Sequence, residues 1–168
     1  MSISMCQATS PRFINGLLNL SNILKKAAEH AAAHKIDPNA LLQARLYPDM
    51  FPLTRQVQIA CDQAKGAVAR LAGQEPPKHE DSEQSFDDLQ ARIKKTIAYI
   101  ESVPLQALDG SESRGIHLKV AGKELTFVGS QYLMGWAWPN FHFHSSMAYA
   151  ILRHNGVPLG KPDYLGEV

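Results

Sequence analysis

The sequence predicts an all-α fold, a four-helix bundle with a small β-hairpin before the last helix. Four long segments repeat apolar residues at three- and four-residue steps, which is the period of an amphipathic helix. One short stretch, IHLKVAGKELTF, alternates apolar and polar residues, which is the period of paired strands. Long helices joined by shorter connections are typical of a bundle, here one domain over residues 1–168.

The first predicted helix runs from about residue 3 to residue 34. Pro11 near its start suits a first turn or a kink, and Asp37-Pro38 breaks the pattern beyond its end. The stretch NALLQARL that follows predicts a short helix. The stripe that should face the core consists of Leu17, Leu20, Leu24, Ala27, Ala28 and Ala31.

The second predicted helix spans residues 52–71, and Gly73 is placed to end it. The polar stretch QEPPKHEDSEQS predicts a surface loop. The third helix begins at Ser85, a natural N-cap with Asp88 three residues later, and it ends before Pro104. The apolar stripes of these helices are Leu53, Val57, Ala60, Ala64, Ala67 and Leu71, and Phe86, Leu89, Ile93, Ile97 and Ile100.

The fourth predicted helix follows the hairpin and covers residues 129–154. It contains Pro139, which should kink or divide it because proline lacks a backbone N–H. Asn155-Gly156 is expected to end it. The tail that follows is rich in turn residues, and four of its side chains are expected to pin it to the body: Val157, Leu159, Tyr164 and Leu165.

Charge and composition exclude several classes of partner. Seventeen basic and sixteen acidic side chains give a net charge of +1, whereas nucleic-acid binders normally carry a basic excess. Cys6 and Cys61 form no CxxC, so no disulfide framework is indicated. The sequence has neither a signal-peptide pattern nor an apolar run of roughly 18 residues. We therefore expect a cytoplasmic protein with no nucleic-acid and no membrane partner.

Three of the seven histidines lie in NFHFHSSMAYAILRHNG on the fourth helix. His142 and His144 are two residues apart and therefore point about 200° apart on a helix, so they cannot hold one ion together. His144 shares a largely apolar row with Asn140 and is expected to face inward. His142 lies in a more polar row and is expected to face solvent or a partner subunit. His154 lies near the helix end, where the dipole favours a protonated imidazole.

An inward histidine beside an inward asparagine has two interpretations. It is either a polar site in the bundle core, where bundles place metals and ligands, or a buried histidine held by hydrogen bonds. Gln58 and Asp62 lie one turn apart on the second helix and could reach across to His144 and Asn140. The alternative is that Gln58 and Asp62 form a solvated edge. The predicted ligand pocket consists of His144, Asn140, Gln58 and Asp62.

Other candidate groups are weaker. His30 and His34 have a spacing that can chelate on a helix, but no third ligand is evident and we expect them to be exposed. Cys61 lies in mid-helix beside Asp62, where burial and the carboxylate should raise the thiol pKa and make it a poor nucleophile. The sequence contains no GxSxG, P-loop, GxGxxG or HExxH motif, and no catalytic residue is assigned.

Several motifs occur together in a distinctive order: ARLYPDMFPLTRQVQIACD (44–62), then ARIKKTIAYI, then PNFHFHSSMAYAILRHNGVPLGKPDYLG (139–166). In this the sequence resembles the domain-of-unknown-function family numbered nineteen ninety-three. The resemblance covers nearly the whole chain and implies a DinB/YfiT-like four-helix bundle, commonly dimeric, in a superfamily regarded as metalloenzymes. Its better-understood members bind a divalent ion through one histidine on helix two and an HxxxH on the last helix, and some transfer thiols to electrophiles.

The resemblance implies a degenerate version of that metal site. Arg153 and Gly156 match the family's helix ending, so His144 falls on the last metal histidine and Asn140 on the other helix-four position. The resemblance implies Gln58 for the helix-two position. Carboxamides are poor ligands for zinc or nickel. We therefore expect no tightly held zinc or nickel, unless Asp62, His142 or Asp49 supplies a ligand.

Three functions remain open. The first is a core pocket that binds a small ligand without a tightly held metal. The second is a divalent-metal-dependent enzyme of the thiol transferase or hydrolase type, with His144 as a ligand. The third is a homodimeric structural protein whose interface includes aromatic side chains of the fourth helix; these side chains could equally fill the core around Pro139. They are Tyr132, Trp136, Trp138, Phe141 and Phe143.

Overall fold

The structure, a computed structural model, describes residues 3–166. The four predicted long helices are present, but the first, expected from about residue 3, is divided at Thr9 into a one-turn helix and a long helix. Other short helices lie between and after the long ones. In chain order the helices are α1 (Met5–Ala8), α2 (Ser10–His34), α3 (Pro38–Leu42), α4 (Leu53–Leu71), α5 (Phe86–Ser102), α6 (Gly129–Tyr132), α7 (Trp138–His154) and α8 (Lys161–Leu165). Two 3₁₀ turns (Leu105–Leu108 and Ser111–Ser113) connect α5 to the hairpin.

Local sequence signals determine where the helices begin and end. Pro11 lies in the first turn of α2, and the Ser85 hydroxyl accepts a hydrogen bond from the Asp88 N–H at 3.1 Å, as an N-cap does. Gly73 and Gly156 follow α4 and α7 with φ of +74° and +89°, a conformation that favours glycine. The predicted helix boundaries at Ser85, Gly73 and Gly156 are confirmed, and of the two alternatives for Pro11 the structure shows the first turn of a helix.

The predicted hairpin is also present. Strands β1 (Gly115–Val120) and β2 (Lys123–Val128) pair antiparallel, with Gly115 opposite Val128 and Val120 opposite Lys123. Ala121 and Gly122 form the turn with φ of +49° and +80°, which suits the right-handed twist of a two-residue hairpin.

The fourth helix passes through Pro139 by widening its preceding turn. Residues 133–137 form a π turn between α6 and α7, and the backbone at Tyr132, Ala137 and Trp138 stays helical. Proline cannot donate the usual backbone hydrogen bond, and a π turn is one known way to accommodate such an interruption. The expected interruption therefore takes the form of a π turn within one continuous helical segment.

The four long helices pack as a ring. α2 contacts α5 and α7, and α4 contacts the same two helices from the other side. α4 is buried on nearly every face, from Leu53 to Leu71. Tyr132 and Phe141 lie inside the core, Trp136 and Trp138 pack against it, and Phe143 is 53% exposed. Within residues 3–166, no helix is long and apolar enough to cross a membrane.

Candidate functional site

His144 lies on the face of α7 that packs against α4, and it is 9% exposed. Its Nδ1 lies 2.7 Å from Oε1 of Gln56. The other end of that carboxamide, Nε2 of Gln56, donates to the carbonyl oxygen of Phe51 at 3.1 Å. This second bond fixes the amide so that its oxygen faces the ring. Nδ1 of His144 therefore carries the hydrogen atom and donates a hydrogen bond to Oε1 of Gln56.

The surroundings of His144 favour its neutral form. Burial lowers the pKa of His144, and the positive charge of Arg55 lowers it further. The ring of Phe143 stands edge-on to the imidazole, with ring centres 5.2 Å apart. The structure thus confirms that His144 faces inward, and it presents the group as a neutral imidazole held by a hydrogen bond.

The other three residues of the predicted pocket bond to different partners. Gln58 donates to Oε2 of Glu83 at 2.8 Å and accepts from Arg55 at 3.1 Å. Asn140, although it lies one turn before His144, donates to the carbonyl oxygen of Trp136 at 2.8 Å. No hydrogen bond in the described part of the chain joins either side chain to His144.

Gln56 is the partner that sequence reasoning missed. Residues two positions apart on a helix point about 200° apart, so Gln56 and Gln58 cannot both face α7. The sequence did carry a signal for Gln56, since it falls three residues after Leu53 and four before Ala60, both in the predicted core stripe. The structure therefore replaces Gln58 with Gln56 as the helix-two residue opposite His144.

Asp62 belongs to an ion-pair cluster on the side of α4 that faces α5, centred on Arg92. The guanidinium of Arg92 contacts Asp62 and Asp81 at 3.0 Å and Glu83 at 2.9 Å. It also donates to the carbonyl oxygen of Glu80 at 3.0 Å. The Arg92 side chain is 2% exposed, so the cluster fastens the 74–85 connection onto α4 and α5.

The donors around His144 do not fit a zinc or nickel site. The set consists of one imidazole and the carboxamides of Gln56 and Asn140, and those amides already make hydrogen bonds. Structural and catalytic zinc sites use histidine, cysteine or carboxylate ligands. Among residues 3–166 no group of three or more such side chains is close enough to hold an ion. His142 and Asp49 therefore complete no such set with His144 and Asp62.

A cavity of about 200 Å³ lies between α2, α7 and α8. Its walls combine apolar side chains with a small number of polar groups, which is the usual composition of a ligand site. None of the four predicted pocket residues lines it, but His142 does. The charged, polar and aromatic residues of its wall include Arg12, Asn15, Trp138, Phe141, His142 and Ser145.

Ser145 is the unusual member of this lining. It is 5% exposed, and its hydroxyl has no hydrogen-bond partner among the described residues. A buried hydroxyl without a partner costs roughly 1–3 kcal/mol, so proteins normally satisfy such groups. Ser145 is therefore a residue of the cavity wall with an unused hydrogen-bonding group.

The short helix α8 closes one side of the cavity. The Asn19 amide donates to the carbonyl oxygen of Tyr164 at 3.2 Å, and Lys26 pairs with Asp163 at 2.5 Å. The Tyr164 hydroxyl lies 3.3 Å from Nδ1 of His142 and accepts from Ser146 at 3.0 Å. Partial burial lowers the pKa of His142, which keeps its imidazole neutral.

The remaining sequence candidates lie apart from this cavity. The rings of His30 and His34 are 4.2 Å apart on the outside of α2. Cys61 is fully buried, and burial raises the pKa of its thiol to about 12, so it is not a nucleophile near neutral pH. In the tail, Val157 and Leu159 are buried as expected, whereas Leu165 is half exposed.

Comparison with known proteins agrees with this architecture. A family model described as a domain of unknown function (DUF1993) matches residues 5–165. The chain is also similar to a solved crystal structure, a DinB family member protein from Shewanella denitrificans. The two are 42% identical with a TM-score of 0.87, and the match covers 97% of this chain and 92% of the other. No curated protein matches the chain.

Proposed function

The chain belongs to the DUF1993 family, and from that premise we propose that it is a DinB-like protein that binds a small organic molecule in the cavity between α2, α7 and α8. The observation that carries the proposal is Ser145, a residue of the cavity wall whose buried hydroxyl has no hydrogen-bond partner among residues 3–166. A ligand that bonds to this hydroxyl would remove the cost of leaving it unsatisfied.

The size and walls of the cavity support a small ligand. An apolar cavity of about 150 Å³ is large enough to take up benzene, and this cavity measures about 200 Å³. Trp138 and Phe141 offer aromatic surfaces, while Asn15, His142 and Ser145 offer polar groups that could fix an orientation. Binding near Ser145 requires no metal and does not involve His144.

Trp138 gives a direct readout of binding. The chain has two tryptophans, Trp136 and Trp138, and only Trp138 lines the cavity. Trp136→Phe keeps an aromatic ring against Phe127, whose ring centre is 6.0 Å away. In this background, benzyl alcohol should change the Trp138 fluorescence saturably and raise the thermal midpoint, because a ligand that binds only the folded state stabilises it.

Two variants locate the site. Ser145→Met places an unbranched side chain in the cavity and should abolish the titration while the protein stays folded. Ser111→Ala is the matched control, since the Ser111 hydroxyl is also buried without a partner but lies outside the cavity. Saturable binding that is retained by folded Ser145→Met, or an absence of binding by benzyl alcohol and by the acidic probe described below, would overturn the proposal.

A further inference from the structure

We infer that the ligand of this cavity is a small monocarboxylate with a single apolar ring or a branched apolar chain. This inference rests on the proposed function and adds the charge and shape of the ligand to it. Three features support it: the charged groups on the cavity wall, the position of Arg12 at the start of α2, and the apolar surface opposite.

Among residues 3–166, the cavity wall carries one arginine and no acidic side chain. This arginine is Arg12, and no Asp or Glu is among the lining residues. Arg12 is exposed and forms no ion pair in the described part of the chain. The acidic residue of the neighbouring α8, Asp163, is paired with Lys26. A guanidinium without a partner at the rim is suited to bind a carboxylate in a bidentate manner.

The backbone adds to this preference for negative charge. Arg12 lies in the first turn of α2, a helix of 25 residues whose first turn contains no acidic side chain. The partial positive charge of a helix N-terminus favours an anion nearby. The partial charge of the α2 N-terminus and the charge of Arg12 are therefore both positive and lie at the same end of the helix.

The apolar surface and the volume determine the rest of the ligand. Trp138 and Phe141 face the cavity together with Leu20 and Ile23, so the body of the ligand is expected to be apolar. One arginine balances one negative charge, and about 200 Å³ holds one ring or a short branched chain. A dianion such as phosphate would leave one charge unbalanced and the apolar walls without a partner.

A matched pair of probes tests the charge directly. Phenylacetate and phenylacetamide have nearly the same shape and differ in charge. Titrated into the Trp136→Phe protein and followed by Trp138 fluorescence, phenylacetate should bind at least about tenfold more tightly, a difference of about 1.4 kcal/mol. Arg12→Gln should remove that preference, and Arg12→Lys should keep part of it. Arg153→Gln is the matched control, because Arg153 is exposed on α7 and does not line the cavity.

The outcomes separate the ligand class from the proposed function. If both probes bind equally and Ser145→Met abolishes both, the carboxylate assignment is overturned while the ligand site stands. If only benzyl alcohol binds, or if inorganic phosphate displaces phenylacetate at equal concentration, the assignment is also overturned. If neither probe nor benzyl alcohol binds, the proposed function fails as well.

Discussion

His144 on α7 and Gln56 on α4 are joined by a hydrogen bond of 2.7 Å between Nδ1 and Oε1. His144 is the residue that the sequence resemblance placed at the family's last metal histidine, and Gln56 lies opposite it. The amide of Gln56 is itself oriented by the carbonyl oxygen of Phe51. The two buried polar groups thus satisfy each other, which is the usual state of polar groups in a protein core.

Two histidine substitutions should create a zinc site at this position. The double variant Gln56→His/Asn140→His would give three imidazoles on the facing sides of α4 and α7, which is a ligand set that zinc accepts. We expect it to retain about one zinc per chain after desalting, measured by elemental analysis, and to lose it when His144→Ala is added. The wild-type protein should retain none.

The matched control for that experiment is Gln58→His/Asn140→His. Gln58 points to Glu83 and Arg55 rather than to α7, so a histidine there should not complete the set. Equal zinc retention by the two double variants would contradict the assignment of Gln56 as the residue opposite His144. A wild-type protein that holds zinc through His144 would contradict the argument from the amide donors.

Deletion of the Ser145 hydroxyl should stabilise the free protein. The hydroxyl is buried without a partner in the part of the chain that the structure describes, and alanine in mid-helix has the better helix propensity. We expect Ser145→Ala to raise the free energy of unfolding in urea by about 1 kcal/mol and to weaken benzyl alcohol binding. Ser111→Ala should stabilise similarly and leave binding unchanged. A loss of stability in Ser145→Ala would mean that its hydroxyl is satisfied in solution.

Removal of the Arg92 side chain should destabilise the protein strongly. Arg92 is almost fully buried and contacts Asp62, Asp81 and Glu83. Breaking a buried ion pair by deleting one partner typically costs about 3–5 kcal/mol, because the remaining charges lose their partner. Since Asp62 and Asp81 are more than a third exposed, water can screen them, and we expect Arg92→Ala to cost about 3 kcal/mol.

Arg55→Ala provides the comparison for Arg92→Ala in the same urea experiment. Arg55 also contacts Asp81, but both side chains are more than a third exposed, and surface pairs contribute about 0–1 kcal/mol. Amide hydrogen exchange at residues 79–83 should quicken in Arg92→Ala and change little in Arg55→Ala. Equal effects of the two substitutions would contradict the anchoring role of Arg92.

The sequence predicted the long helices and the hairpin because their signals are local. Ser85, Gly73 and Gly156 mark helix ends through their own backbone preferences, and these positions agree with the structure. Gln56 was missed because α4 is buried almost all round, so a polar residue within its apolar stripe was not recognised as facing another helix.

The cavity could not be predicted from the sequence. One of its walls is α8, a five-residue helix in a tail that carries no helical period of its own. Its position depends on contacts between residues far apart in the chain, such as Asn19 with Tyr164 and Lys26 with Asp163. His142 was expected to face solvent or a partner subunit, and it is exposed; it also lines the cavity, with its Nδ1 3.3 Å from the Tyr164 hydroxyl. Such contacts are properties of the tertiary structure.

Acidification should destabilise the protein through His79. Burial lowers the pKa of His79 to about 4, and the positive charges of Lys65, Lys95 and Arg92 contribute further. Its Nδ1 is buried without a hydrogen-bond partner among the described residues. In the unfolded chain a histidine has a pKa of about 6.5. Between about pH 6.5 and pH 4 the unfolded state therefore binds more protons, and the free energy of unfolding falls as the pH falls.

Substitution of His79 isolates this effect. We expect His79→Gln to reduce the loss of stability between pH 7 and pH 4.5, measured by urea unfolding, while His34→Gln on the exposed face of α2 leaves it unchanged. Burial also lowers the pKa of His142 and of His144, so a smaller dependence should remain. Asp88 and Asp163 also have lowered pKa values, but they affect stability in a different pH range. The stabilisation from these two carboxylates is lost only below about pH 4. An unchanged pH dependence in His79→Gln would contradict this assignment.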